Sequence, residues 1–273
     1  MAKLRISLTI DRDVVDGIDK FVDNINIKSR SQAIENFLRE AVNKEKNVVI
    51  MCGGKDFVIN GTDTLRPLAL IGEKTIIERI ILECKKYGFN KFYVVGPKKV
   101  LDRIYSVTGS IDGAEIRYFE EKSSEGSAKV LLQLKKELRS TFLLIPGDTV
   151  FNFDLKDMFE FHKKGGAVVT LALNILKKPE ESHYRLGKVS IKGSKITKYI
   201  DNSEEKELQV MSTFIFFAEP EIFDRIKQGV KSLQKELFPE LAKEAQLSGY
   251  TFDGQWFNIH TKEDIKQASK IFK

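Results

Sequence analysis

A short alternating segment followed by two amphipathic helices occupies the first 44 residues and limits how this region can fold. Residues 5–10 alternate polar with apolar side chains, which is the period of a strand with one buried face. Asp11 predicts the N-cap of a helix over residues 12–22, and Ser31 predicts that of a second helix to about residue 41. A lone strand has two unpaired edges, and so small a unit buries little apolar area. The pattern therefore predicts a homodimer whose two copies pair this strand antiparallel.

Residues 3–44 resemble the ribbon-helix-helix family of DNA-binding proteins in this order of strand and helices. In that family the paired strands enter the major groove of double-stranded DNA, and the second helix binds phosphate at its start. The resemblance implies a DNA-binding domain over residues 1–46 whose contacts come from Arg5, Ser7, Thr9, Ser29, Arg30 and Ser31. A strand that serves dimerisation alone is the alternative. The first 46 residues carry 9 basic and 8 acidic side chains, so any affinity for DNA must come from the placement of charge.

A second pattern, apolar strands alternating with helices, fills residues 47–273. Strands are predicted at 48–51, 91–95, 141–145, 167–175 and 213–217, with a hairpin over 188–200. Helices are predicted at 75–87, 127–138, 155–164, 220–227 and 234–244. Such alternation is typical of an α/β fold with a doubly wound, mostly parallel, Rossmann-like sheet. Ligands of these sheets bind beyond the carboxyl ends of the strands.

Several short motifs occur in order along this second domain. They are Cys52-Gly53-Gly54, Arg66-Pro67-Leu68, Gly126-Ser127-Ala128, Gly147-Asp148, Asp201-Asn202 and Trp256-Phe257-Asn258. Their order and spacing are similar to those of the sugar-1-phosphate nucleotidylyltransferase family over residues 47–270. The resemblance implies a pocket for a nucleotide, a sugar phosphate or a sugar nucleotide, with Mg²⁺ held at Asp148. The ligand-binding residues it implies are Gly53, Gly54, Arg66, Gly126, Ser127, Asp148 and Asp201.

The motifs depart from the family pattern at charged positions. Asp63 stands where the family has an arginine that follows Gly-Thr, and Asn258 replaces a second metal-binding carboxylate. A Pro-Lys pair becomes Leu65-Arg66, and a Glu-Lys pair becomes Asp201-Asn202. Nucleotidyl transfer depends on charge neutralisation at the phosphates, so each loss costs about 10²–10³ in rate. These departures predict a degenerate domain that is not an enzyme; were it active, Arg66 and Asp148 would be its catalytic residues.

Two hypotheses about function follow. The first is a dimeric, DNA-binding transcription regulator whose degenerate nucleotidyltransferase-like domain senses a nucleotide or sugar phosphate, or provides oligomer contacts. The alternative is an active sugar-phosphate nucleotidyltransferase that carries a ribbon-helix-helix unit for dimerisation or DNA tethering. A DNA-organising protein without a ligand is a third class.

Composition indicates the cellular compartment and the partners of the chain under each of these hypotheses. No apolar run approaches the roughly 20 residues of a bilayer span, which predicts no membrane partner. Cys52 and Cys84 lack metal-binding spacing, which favours the reduced cytoplasm. The net charge of +6 suits a polyanionic ligand without identifying it. His162 falls on a charged helix face, so we expect a solvated side chain.

Overall fold

The structure of the protein is a computed structural model. It describes residues 5–43, 46–54, 57–109, 111–121, 126–175, 187–201 and 210–273. The chain divides into two compact units, Met1–Glu45 and Lys46–Lys273. The division lies within the short polar stretch between the two sequence patterns.

Two helices make up the described part of the first unit, α1 over Arg12–Asp19 and α2 over Arg30–Asn43. The rings of Phe21 and Phe37 pack edge to face, with their centroids 4.9 Å apart. The predicted strand over residues 5–10 is not formed, because these residues have no regular secondary structure in the single chain. A strand needs a partner edge, and the described residues of this chain provide none to it.

The start of α2 also differs from the prediction. Ser29, and not Ser31, is the capping residue, because its hydroxyl accepts a hydrogen bond from the Gln32 N–H at 3.2 Å. Arg30 forms two hydrogen bonds to Asp19, from Nε at 2.7 Å and from Nη2 at 2.5 Å. This fork-to-carboxylate geometry joins the two helices and occupies the guanidinium.

Thirteen strands are described in the second unit. They are β1 (Asn47–Met51), β2 (Leu70–Ile71), β3 (Lys74–Thr75), β4 (Lys91–Gly96), β5 (Glu115–Glu120), β6 (Phe142–Pro146), β7 (Thr149–Phe151), β8 (Val169–Ile175), β9 (Lys188–Lys192), β10 (Lys195–Ile200), β11 (Val210–Ala218), β12 (Leu247–Thr251) and β13 (Trp256–Asn258). Nine of them form one sheet in the order β5-β4-β1-β6-β11-β8-β12-β10-β9. Two small sheets pair β13 with β7 and β2 with β3.

The large sheet is mixed, and seven of its nine strands run in one direction while β10 and β11 run against them. Strands β5, β4, β1 and β6 run parallel, and β12 runs parallel to β8. Strand β11 enters between β6 and β8 antiparallel to both, and β10 is antiparallel to β9 and β12. The sequence of β11 does not reveal the direction of this strand, because both of its faces are buried. Such a strand has the same run of apolar residues whether it lies parallel or antiparallel to its neighbours.

The described residues of the second unit form seven α-helices. They are α3 (Ile76–Lys86), α4 (Lys98–Thr108), α5 (Ser127–Leu132), α6 (Leu155–Gly165), α7 (Ile222–Arg225), α8 (Phe238–Lys243) and α9 (Lys262–Ser269). A capping box starts α3, where the Thr75 hydroxyl and the Glu78 carboxylate satisfy each other's backbone N–H groups. The predicted helix over 234–244 divides into a π-helical turn, Leu233–Leu237, and α8. None of the described helices is long and apolar enough to cross a bilayer.

Successive residues of the central strands pack into two different hydrophobic clusters, one for each face of the sheet. In β1, Val48 and Ile50 belong to one cluster and Val49 to the other. Leu143 and Leu144 of the neighbouring β6 divide in the same way. Burial on both faces makes the core of the sheet rigid and fixes the positions of the strand ends.

A buried polar network replaces the solvated His162 that the sequence predicted. His162 is 1% exposed, its Nδ1 lies 2.7 Å from the Thr170 hydroxyl, and its Nε2 lies 3.4 Å from Glu219 Oε1. Lys163 Nζ donates to the same Glu219 oxygen at 2.7 Å, and the Thr141 hydroxyl donates to the other at 2.9 Å. Burial alone would raise the pKa of Glu219, but the hydrogen bonds from His162, Lys163 and Thr141 together lower it to about 2.

Glu219→Gln is expected to lower the free energy of unfolding at neutral pH by about 1–3 kcal/mol, the usual worth of a charged hydrogen bond. Because the pKa of this carboxylate is lower in the folded protein than its ordinary 4.5, the charge stabilises the fold above pH 4.5. That stabilisation is lost as the pH falls from 4.5 towards 2. Urea unfolding of both proteins from pH 7 to pH 2.5 checks this, and a difference that stays constant or grows on acidification contradicts it.

Candidate active site

A cavity of about 450 Å³ opens at the carboxyl ends of the parallel strands β1, β4 and β6. The strand ends contribute Met51, Val95 and Pro146 to its wall. Its other lining residues are Gly53, Gly54, Phe57, Arg66, Glu121, Gly126, Ser127, Val130, Asp148, Thr213, Phe214, Gln234, Asn258 and His260. This is the edge at which open α/β sheets bind their ligands.

Six of the seven ligand-binding residues predicted from the sequence line this cavity together. They are Gly53, Gly54, Arg66, Gly126, Ser127 and Asp148. Asp201 follows β10 and is not among the lining residues, and Asn202 lies outside the described residues. Arg5, Ser7, Thr9, Ser29, Arg30 and Ser31 all belong to the first unit, where they are exposed.

Two of the lining glycines allow close approaches that a side chain would prevent. Gly126 has φ 100°, and a Cβ on it would overlap the Lys231 carbonyl oxygen. The next residue holds the same segment, because Ser127 Oγ accepts a hydrogen bond from the Leu233 N–H at 3.0 Å. A Cβ on Gly53 would overlap Glu121 Oε2. Both glycines therefore permit close packing within the protein, whereas the lining residue Gly54 has nothing within 4 Å of its Cβ position and is open to a ligand.

An arginine–carboxylate pair lies in the wall of the cavity. Arg66 Nη1 donates to Asp148 Oδ2 at 3.2 Å, and both side chains are largely buried, at 13% and 9% exposed. Arg66 Nε donates to the Val58 carbonyl at 3.0 Å, and its guanidinium lies 5.8 Å from the centroid of the Phe57 ring. The guanidinium is therefore held in one orientation and places a fixed positive charge in the cavity.

Two further polar side chains surround Asp148. His260 Nε2 lies 3.4 Å from Asp148 Oδ2. Asn258 ends β13, which pairs with β7 so that Asn258 is opposite Thr149, the residue after Asp148. Asn258 is 5% exposed, and among the described residues its Oδ1 has no hydrogen-bond partner. A buried acceptor without a donor is costly unless a ligand or a cation satisfies it.

The family resemblance implies Mg²⁺ as a cofactor, which requires oxygen ligands among the side chains that line the cavity. Within the described part of the chain, no group of three or more His, Cys, Asp or Glu side chains could hold a metal. Mg²⁺ is nevertheless commonly bound by one or two protein oxygens, completed by water and substrate phosphates. Asp148, which directly precedes β7, and the unpartnered Oδ1 of Asn258 on the paired strand β13 supply such oxygens, so these residues fit a phosphate-bound Mg²⁺.

Cys52 borders the same strand end but has no nucleophilic role. Its side chain is fully buried, and burial, with a smaller contribution from the Asp148 charge, raises the pKa of the thiol far above its usual range. Cys84 is also a buried, free cysteine whose pKa is raised by burial. Both thiols are therefore inert packing groups.

Several lining residues are not predictable from a local sequence pattern. Phe214 and Thr213 reach the cavity because β11 has a bulge between Ser212 and Phe216, where Phe214 takes φ 60°. Side-chain hydrogen bonds from the Phe214 N–H to Ser212 Oγ and from the Ile215 N–H to Thr213 Oγ1, both 3.1 Å, hold this bulge. No local signal marks it. Glu121 directly follows β5, and ligands of open α/β sheets bind beyond the carboxyl ends of the strands, so its place in the site could have been predicted.

This fold and this cavity define an α/β protein of the kind that binds ligands at the carboxyl ends of parallel strands. The family described as Nucleotidyl transferase matches residues 47–273. The chain belongs to that family. The match gives no support to the ribbon-helix-helix resemblance, which concerns the residues before it.

Curated relatives and solved structures agree with this membership. A probable glucose-1-phosphate cytidylyltransferase from Bacillus subtilis is 25% identical over 82% of this chain and 95% of its own length. A mannose-1-phosphate guanyltransferase beta-A from Xenopus laevis is 26% identical over 56% of this chain, which spans only 43% of that relative. A putative glucose-1-phosphate thymidylyltransferase from Bacillus anthracis superposes with a TM-score of 0.73 at 19% identity, over 83% and 94% of the two chains.

These relatives correct the first hypothesis about function. The prediction of a DNA-binding transcription regulator with a pseudoenzyme domain is wrong, because the relatives are named as sugar-1-phosphate nucleotidyltransferases. The expectation that the second domain is not an enzyme depends on the charge of each motif position taken separately. Arg66, Asp148 and Asn258 meet in one cavity, where an arginine supplies the cation and an amide an additional oxygen.

Proposed function

We propose that the chain transfers a nucleotidyl group from a nucleoside triphosphate to a sugar 1-phosphate. In this reaction a phosphate oxygen of the sugar attacks the α-phosphorus, the new P–O bond forms, and pyrophosphate leaves. The fixed Arg66–Asp148 pair at the carboxyl ends of the strands is the observation that carries the proposal. A reaction of this type needs orientation and charge neutralisation more than covalent chemistry.

Each part of the cavity has a role in this proposal. The open backbone at Gly54 lets the nucleotide approach closely, and Arg66 neutralises phosphate charge that develops during transfer. Asp148 and Asn258 would hold Mg²⁺, which when bound would supply further neutralisation of the triphosphate charge.

Pyrophosphate release tests the proposal directly. The full chain is incubated with Mg²⁺, each of the common nucleoside triphosphates, and glucose 1-phosphate or mannose 1-phosphate. We expect turnover on the order of 1 s⁻¹ or faster for at least one pair, and none when the sugar phosphate is omitted. If the chain binds nucleotide but releases pyrophosphate with none of the substrate pairs, the proposal is wrong.

We propose that the first unit mediates self-association through residues 5–10. Ile6 and Leu8 are 60% and 57% exposed, and they alternate with polar residues as one face of a strand would. A second copy of this segment provides the missing partner edge and covers these apolar side chains.

Leu8→Lys is expected to convert a dimer into a monomer, because it places a charge in the centre of the paired strands. Light scattering coupled to gel filtration of the full chain measures the mass. Ile191→Lys is the matched control, since Ile191 is a 41% exposed apolar residue of the second unit. A monomeric parent protein, or an equal effect of both substitutions, argues against self-association through residues 5–10.

A further inference from the structure

A second carboxylate, that of Glu121, also lines the cavity and takes no part in the Arg66–Asp148 pair. It follows β5, and its N–H donates to the Gly96 carbonyl at the end of β4 at 2.9 Å. Its Oε2 occupies the space that a side chain on Gly53 would fill. Among the described residues, its carboxylate has no hydrogen-bonding or ion-pair partner. Burial raises the pKa of this group above its ordinary value.

The Glu121 carboxylate can discriminate between ligands by the hydrogen bonds that it accepts from them. An ionised carboxylate has two acceptor oxygens and no donor, so it needs a ligand edge with two adjacent N–H groups. The Watson–Crick edge of guanine offers N1–H next to the N2 amine. The N3–H of uracil or thymine lies between two carbonyl acceptors. Adenine and cytosine each place a ring-nitrogen acceptor beside their amine. With these bases an acceptor faces an acceptor, which leaves buried polar groups unpaired.

We infer that this site takes a guanine nucleotide, and that Glu121 selects the base by accepting hydrogen bonds from guanine N1–H and N2–H. The inference rests on the proposed nucleotidyltransferase function. Family membership does not fix the base, since the names of similar proteins include a guanyltransferase, a cytidylyltransferase and a thymidylyltransferase. The position of Glu121 over Gly53 places the selecting group at the turn that follows β1.

Equilibrium binding to the full chain tests the inference without turnover. GTP, ITP, UTP, CTP, ATP and dTTP are titrated by calorimetry in the presence of Mg²⁺. We expect GTP to bind at least about 10-fold more tightly than UTP, CTP, ATP or dTTP. ITP lacks the N2 amine, so its affinity is expected to lie between those of GTP and UTP. Equal affinities of GTP and UTP would overturn the inference.

Glu121→Gln identifies the residue responsible. The amide keeps one acceptor and gains a donor, so GTP affinity is expected to fall about 10-fold or more while UTP affinity stays equal or increases. Glu120→Gln is the matched control, because Glu120 is an exposed neighbour on the same strand end. A GTP preference that survives Glu121→Gln in a protein of unchanged melting temperature overturns the role of Glu121.

The two proposals fail in different ways. Pyrophosphate release from UTP but not from GTP would leave the nucleotidyltransferase function standing and remove the guanine inference. Selective GTP binding that is lost in Glu121→Gln, with no pyrophosphate release from any pair, would leave base selection standing and remove the reaction.

Discussion

Arg66→Met is expected to lower kcat/KM for pyrophosphate release by about 10²–10³. Methionine fills a similar volume but removes the positive charge and both hydrogen bonds, to Asp148 Oδ2 and to the Val58 carbonyl. The loss should fall largely on kcat, because the charge interacts most strongly with phosphate oxygens as the pyrophosphate leaves. Steady-state kinetics with the best pair of substrates measures both parameters.

Arg66→Lys separates charge from geometry. Lysine keeps the cation but cannot donate to Val58 and Asp148 from one planar group, so an activity between those of the parent and Arg66→Met is expected. Arg66→Lys should melt within a few degrees of the parent, whereas Arg66→Met leaves the buried Asp148 carboxylate without its ion pair and should melt at a lower temperature. Thermal unfolding measures both, and the kinetics are compared at a temperature where all three proteins are folded. If Arg66→Met retains activity within about threefold of the parent, Arg66 is only a structural partner of Asp148.

Residues whose position follows from a local pattern were predictable from the sequence. Gly53 follows a buried strand, Gly126 precedes a helix, and Asp148 ends another strand, so each was assigned to the carboxyl edge of the sheet. Strand existence is a local property, because buried strands of five or six residues have a distinctive apolar composition. The sequence therefore predicts β1, β4, β6 and β8, whereas it does not predict the edge strand β5 or the helix α4.

Residues whose position depends on pairing between distant segments were not predictable. Phe214 reaches the cavity through a bulge against β8. The register that creates this bulge is not encoded in the neighbouring sequence. His162 was expected in solvent because its helix neighbours are charged, but its packing partner Glu219 follows β11, far along the chain. Nonlocal partners decide burial in each of these cases.

The error about function has a related cause. When each motif position is considered alone, Asp63 and Asn258 each remove one catalytic charge. Asp63 is exposed on a tight turn and does not line the cavity, so its charge does not enter the site. Arg66, which was counted as an imperfect lysine, is the cation that contacts Asp148. Electrostatic neutralisation depends on the sum of charges at one place, and the sequence does not give that sum.

Asp148→Asn is expected to reduce nucleotidyl transfer by about 10²–10³ and to raise the Mg²⁺ concentration needed for half-maximal activity. It removes the carboxylate proposed to bind Mg²⁺ together with Asn258 Oδ1. It also releases Arg66 from its ion pair, so the kinetic loss alone does not identify a metal ligand.

The exchanged variant Asp148→Asn/Asn258→Asp resolves this ambiguity. It restores the total charge of the site and moves the carboxylate to the adjacent strand, so about a 10-fold or greater recovery over Asp148→Asn is expected if both residues bind Mg²⁺. Trp256 is the only tryptophan and lies two residues from Asn258, so its fluorescence during Mg²⁺ titration reports binding independently of turnover. Equal activity and equal Mg²⁺ response of the single and exchanged variants would exclude Asn258 as a ligand, because a metal held by Asp148 alone gains nothing from a carboxylate at position 258.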